Sequence, residues 1–121
     1  MSKFSESAKT HLKRSRVIEG REKLDVNEVI KRYPNGVVID EFDILDGRDG
    51  EYVVLHIKDT NNYFTGGSLA LKVCKGWTDD FGNGNPIVAS DELKNDGGAT
   101  FKIYHTTTKN GNRLTAFNPI D

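Results

Sequence analysis

A mainly β fold is predicted: five strands, one helix between the third and fourth, and a short helix ahead of them. Three stretches predict it. Glu51–Lys58 alternates strictly, with Val53, Leu55 and Ile57 on one side and Tyr52, Val54, His56 and Lys58 on the other, the two-residue period of a strand. Asn110-Gly111 separates two β-prone runs, Thr100–Thr107 and Arg113–Phe117, the strongest short-range signal for a hairpin. Leu69, Ala70, Val73, Cys74 and Trp77 recur at helical spacing and share one apolar face.

The other elements follow in chain order. Residues 1–24 are polar and basic, with scattered apolar positions. They read as a partly docked N-terminal arm whose Lys9, Lys13, Arg14 and Arg16 are available to phosphates, ahead of a domain at 25–121. Asp25 followed by Glu28 is a capping-box pattern. Val26, Val29, Ile30 and Tyr33 then form one face of a short helix that Pro34-Asn35-Gly36 stops. In the first strand, Val37–Leu45, the inward parity of Val37 and Ile39 disagrees with that of Phe42 and Ile44, which predicts a bulge or sharp bend at Asp40–Glu41. Turns are expected at 46–50 and 59–62, and a brief strand at Tyr63–Thr65. Gly66-Gly67-Ser68 opens the helix, with Ser68 as its expected cap. These glycines lack the Lys of a phosphate-binding loop and read as a structural turn. Residues 78–98 read as a loop with one helical turn at Asp91–Lys94.

This order of elements is that of the OB-fold, a five-stranded Greek-key barrel that binds oligonucleotides and oligosaccharides. A bent first strand suits it, because that strand turns a corner to serve both halves of the barrel. The helix after the third strand would plug one end. The competing architecture is an antiparallel sheet with helices on one face.

The chain of 121 residues has a net charge of −1, so no global basic field favours nucleic acid. The charge is uneven: residues 1–33 hold nine Lys/Arg against five Asp/Glu, and residues 34–121 hold eight against thirteen. Any anion-binding surface must be a local patch. Cys74 is the single cysteine, so no internal disulfide and no zinc cluster is expected, and the chain reads as intracellular. There is no apolar run of roughly 18 residues, the length of a membrane span, and no apolar segment follows the basic N-terminus as in a secretory signal. The expected location is cytoplasmic, with no membrane partner.

The row Tyr52, His56, Lys58 puts a ring, an imidazole and a cation on one side of a strand. Single-stranded nucleic acid needs π-faces for bases and positive charge for phosphates. The alternative is that Tyr52 packs under a loop and His56 is a cross-strand neighbour. In an OB-fold the reading face is strands two and three, flanked by the first and last hairpin loops. That places Arg48 on one rim and Lys109 and Arg113 on the other, with Tyr63 at the start of the third strand positioned to stack. Tyr104 joins them from the face of the fourth strand that also carries Lys102 and Thr106. Phe64 and Trp77 are expected in the core, His105 as a hydrogen-bonded histidine at the barrel end, and Cys74 as a buried thiol. The acidic run Asp40, Glu41, Asp43, Asp46 and Asp49 reads as turn chemistry and does not match a calcium loop. No Ser/His/Asp or Cys/His set can be assembled, so neither catalysis, cofactor nor metal is expected. Asp40 and Asp43 with Arg48 are the only candidates for a metal-dependent nuclease.

Tyr63-Phe64-Thr65-Gly66-Gly67-Ser68-Leu69, then Trp77, then the hairpin Thr107-Lys109-Asn110-Gly111-Asn112, resembles phage single-stranded DNA-binding proteins. With Tyr33-Pro34-Asn35-Gly36 and the Ile39–Phe42 strand upstream, the chain more closely resembles those of lactococcal and related Gram-positive phages, over roughly residues 9–119. The resemblance implies an OB-fold protein that coats single-stranded DNA during phage replication or recombination in the host cytoplasm. It implies self-association too, and contact with phage replication or recombination proteins. The chain departs from the wider bacterial family in ending Asn118-Pro119-Ile120-Asp121, without a long Gly/Pro-rich acidic tail, so tail-mediated recruitment of host repair partners is not expected. A non-catalytic protein-interaction module on the same fold is the alternative; its signature would be an exposed apolar patch.

Overall fold

The computed structural model describes residues 15–120, which form six strands and three helices. In chain order these are β1 (Glu22–Lys23), α1 (Val26–Arg32), β2 (Val37–Gly47), β3 (Gly50–Ile57), β4 (Asn62–Gly66), α2 (Ser68–Gly82), α3 (Pro86–Asn95), β5 (Ala99–Thr107) and β6 (Arg113–Pro119). One sheet holds all six strands in the order β1-β4-β3-β2-β5-β6. All neighbours are antiparallel except β1 and β4.

The five expected strands are present, but they do not close into the expected barrel: the sheet is open and mixed, because β4 and β6 do not pair. A strand that the sequence did not predict explains part of this. β1 pairs Glu22 with Asn62 and Lys23 with Tyr63, and the Leu24 N–H continues the ladder to the Tyr63 carbonyl at 2.7 Å. It therefore takes the edge of β4 that a closing strand would need. The chain then leaves β4 at Gly66 for α2. A side chain at Gly66 would bring its Cβ within 2.7 Å of Ala70 Cβ and 2.9 Å of Val53 Cγ1, so the glycine is required by the close approach of helix and sheet. The glycine pair is a structural turn, and Gly67 rather than Ser68 is the cap.

The predicted bulge lies where the parities disagree. Ile39 opposes Ile57, and the next pair is Glu41 with His56, so Asp40 is the extra residue. The slip lets Ile39 and Phe42 both face inward. It also takes the Phe42 N–H out of the ladder, and the buried Ser90 hydroxyl of α3 accepts it at 3.0 Å. That helix was expected to be a loop with a single turn. Asn85 caps it, its side chain accepting from the Ile87 N–H at 3.0 Å, and Pro86 occupies the first helical position.

The inward row of β3 meets Val37, Ile39 and Phe42 of β2, Phe64 of β4, and Phe101, Ile103 and Phe117 of the last hairpin. α1 adds Val29, α2 adds Ala70 and Cys74, and α3 adds Ala89, so all three helices serve one core. Trp77 is core-packed as expected, its ring 5.7 Å from both Phe42 and Phe101, and Phe101 stacks on Phe117 at 4.0 Å. Cys74 is fully buried, and burial pushes its thiol far above the usual range.

Candidate nucleic-acid interface

The outer row of β3 divides into open ends and a closed middle. Val54 and His56 are only 1 % and 5 % exposed, so the expected solvent-facing ladder of Tyr52, His56 and Lys58 is interrupted at its centre. The His56 ring is enclosed by acceptors: Nδ1 lies 2.6 Å from Asp40 Oδ1 and 3.3 Å from Glu41 Oε2, and Nε2 lies 2.8 Å from the Thr60 carbonyl. Acceptors on β2 and in the turn after β3 thus fix the orientation of the ring.

Residues 15–21 close over this end of the row. The Arg21 guanidinium donates to Glu41 Oε2 at 2.6 Å and to the Val17 carbonyl at 3.4 Å, and Val17 is itself buried. Lys94 of α3 adds a second cation 3.7 Å from the same carboxylate oxygen. Burial alone would raise the Glu41 pKa, but the Arg21 hydrogen bond and the charges of Arg21, Lys94 and His56 outweigh it and hold the carboxyl below its usual value. Asp40, Glu41 and His56 bring three potential metal-ligand atoms within 4.8 Å of one another. Here Arg21 and Lys94 supply positive charge at Glu41, and the imidazole is hydrogen-bonded to Asp40.

The other candidates are scattered. Tyr52 is half-buried against the hairpin, and a Cβ at Gly47 would lie 3.0 Å from its ring. Lys58 Nζ donates to the Gly97 carbonyl at 2.9 Å, past the C-terminus of α3, where a cation is favourable. Tyr63 is half-buried between His56 and Lys23 in the sheet register. Arg48 is exposed at the β2–β3 turn, flanked in sequence by Asp46 and Asp49. It makes no ion pair with Asp40 or Asp43. Asp40 is turned to His56, and the Asp43 carboxylate accepts the Ile44 N–H at 2.9 Å. Of the arm residues, Lys9, Lys13 and Arg14 lie outside the described residues, and Arg16 pairs with Asp91 of α3 at 3.1 Å.

The last hairpin is different. Lys102, Tyr104 and Thr106 form an exposed row on β5, opposite Asn118, Ala116 and Leu114 of β6. Tyr104 is 37 % exposed. Its hydroxyl accepts from Asn118 Nδ2 at 2.8 Å and its register partner is the buried Ala116, so the ring is fixed yet open. From Gly97 to Ile120 there are three Lys/Arg and no Asp or Glu. None of those cations, Lys102, Lys109 and Arg113, has an ion-pair or hydrogen-bond partner for its side chain among the described residues, whereas Arg16, Arg21, Arg32, Lys75 and Lys94 are all paired with carboxylates. On the inner side His105 is tied to Thr115 Oγ1 at 3.1 Å and Asn27 Oδ1 at 2.6 Å, the hydrogen-bonded role expected of it.

The structure therefore gathers Tyr104, Lys109 and Arg113 on one hairpin with Lys102, and leaves Tyr52, His56, Lys58, Tyr63 and Arg48 elsewhere. Asn118, which fixes the ring, was not singled out. Counting residue pairs outward from Asn110 puts it opposite Lys102 and would have found it. Among the described residues no helix is long and apolar enough to cross a membrane. Compared with known family models, curated proteins and solved structures, the chain matches none.

Proposed function

We propose that this chain binds single-stranded DNA without sequence preference, along the outer face of the β5–β6 hairpin, and coats it during replication or recombination of a phage genome in the host cytoplasm. One observation carries the reading: an acid-free hairpin sets Lys102 in the same outer row as an exposed tyrosine whose hydroxyl is already held, with Lys109 at its tip and Arg113 opening the return strand on the other parity, and none of these cations is paired among the described residues. Such a surface tracks phosphates with charge and offers bases a platform that needs no hydrogen-bond code. The strand pairings support an OB-fold opened at one seam, since that fold is itself a partly open Greek key: β2 pairs with both β3 and β5, and the terminal hairpin returns alongside. At the open seam a Cβ on Gly67 would stand 3.9 Å from Thr115 Cβ. Self-association along the strand belongs to the same proposal, because coating proteins gain cooperativity from it.

The test is fluorescence anisotropy of a labelled oligo(dT) titrated with protein at several salt concentrations. Saturable binding is expected, with log K falling against log[salt] by about 0.7 per phosphate neutralised. No binding at low salt, or binding that survives replacement of Lys102, Tyr104, Lys109 and Arg113 together by Ala, would reject this reading.

A further inference from the structure

We infer that the cleft between α2 and α3 is a second docking site, taking a cationic amphipathic segment of a partner protein. The apolar patch that would mark a protein-interaction surface lies here, away from the β5–β6 hairpin. Phe81 is 60 % exposed, and Ile87 and Val88 are exposed with it, at the end of α2 and the start of α3. Scattered single apolar residues on a surface are ordinary. Phe81 itself lines a cleft of about 360 Å³, with Trp77 on α2 and Ala89 and Leu93 on α3, and Val88 flanks it one turn before Glu92.

The charge around the cleft names the occupant. Glu92 and Asp96 line it directly. Val88, Glu92 and Asp96 follow one another at four-residue spacing, so the exposed apolar residue and the two carboxylates run along one edge. Asp80 adds negative charge on α2 next to Phe81. None of these three carboxylates has an ion-pair or hydrogen-bond partner among the described residues. By contrast Asp91, on the far side of α3, is neutralised by Arg16, and the α3 cation Lys94 is engaged with Glu41. An apolar floor with an unpaired acidic rim suits a segment that presents large apolar side chains at helical spacing, flanked by Lys or Arg. The same rim repels nucleic acid, so the two surfaces sort their ligands by sign.

The sole tryptophan is in this cleft, so its emission reports occupancy directly. The probe is a synthetic amphipathic helix of Leu and Lys, with a Leu/Glu helix of the same pattern as control, titrated into the full chain. Leu/Lys binding should shift Trp77 emission. Phe81→Ser, an exposed substitution that leaves the core alone, should weaken it roughly tenfold or more, as loss of a buried aromatic anchor does. The double variant Glu92→Lys, Asp96→Lys should reverse the preference in favour of the Leu/Glu helix, while oligo(dT) affinity in Phe81→Ser stays at the wild-type value. The inference is overturned if no emission change occurs at high peptide concentration, or if binding ignores the charge reversal. It is also overturned if the patch instead mediates self-association that Phe81→Ser abolishes in sedimentation.

Discussion

The β2–β3 and β5–β6 hairpins are built alike, each from two antiparallel strands with one face on the common core, yet their outer faces have opposite fates. On β2–β3 the bulge at Asp40 turns two carboxylates toward His56, and residues 15–21 bring Arg21 across to complete a closed polar network. On β5–β6 the register is unbroken, nothing acidic is present, and Lys102, Tyr104 and Thr106 stay in solvent. Both rows read in sequence as ring, polar group and cation at two-residue spacing. What separates them is the neighbouring strand: β3 faces carboxylates on β2, whereas β5 faces Asn118 and Ala116 on β6. A polar alternation therefore identifies a strand, while the register partner decides whether its outer face is a surface or an interior.

The contrast can be broken most forcefully on the closed side. Asp40→Ala takes from a buried imidazole the nearer of its two carboxylates and should cost roughly 3–5 kcal/mol of stability in urea unfolding. On the open side, Tyr104→Ala should leave the urea midpoint almost unchanged and weaken oligo(dT) binding by about 1–3 kcal/mol for each base stacked, read by anisotropy. If the two variants exchange these phenotypes, the assignment of interior and surface is inverted. Lys109→Ala with Arg113→Ala should lower the salt slope by about 1.4 in total, with little change at high salt. The Glu41 network gives a smaller effect, set by pH. The carboxyl pKa is depressed from its ordinary 4.5 in the folded chain, so on acidification the unfolded state takes the proton first. The stability it contributes is complete above about that ordinary value and declines as pH falls through the folded one. Urea midpoints measured from neutral pH to pH 3 should fall more steeply in wild type than in Glu41→Gln. Least of all, Lys75→Ala, which removes only the exposed pair with Glu51, should cost under about 1 kcal/mol and leave DNA affinity intact.

Most of the strands were legible because period and turn chemistry are local. The bulge was legible too, since a parity conflict between Ile39 and Phe42 has few other solutions. Two elements escaped. β1 is two residues long and owes its existence to the free edge of β4, which no local pattern announces. α3 has a low-contrast face of Ala89, Ser90 and Leu93, although Asn85-Pro86 marks its start. The candidate site was half legible. Hairpin geometry led to Tyr104, Lys109 and Arg113, but His56 depended on Asp40, Thr60 and Arg21 arriving from three other segments, a tertiary fact.

Cys74 gives the molecule a built-in clock. It is the sole thiol, it is fully buried in the shared core, and burial keeps it protonated. Only the thiolate reacts with a thiol reagent, and here it can form only when the core opens. The labelling rate in plain buffer, divided by the rate in strong urea, thus measures the fraction of time the core stands open. Each variant above can be ranked on that scale without extrapolating from denaturant.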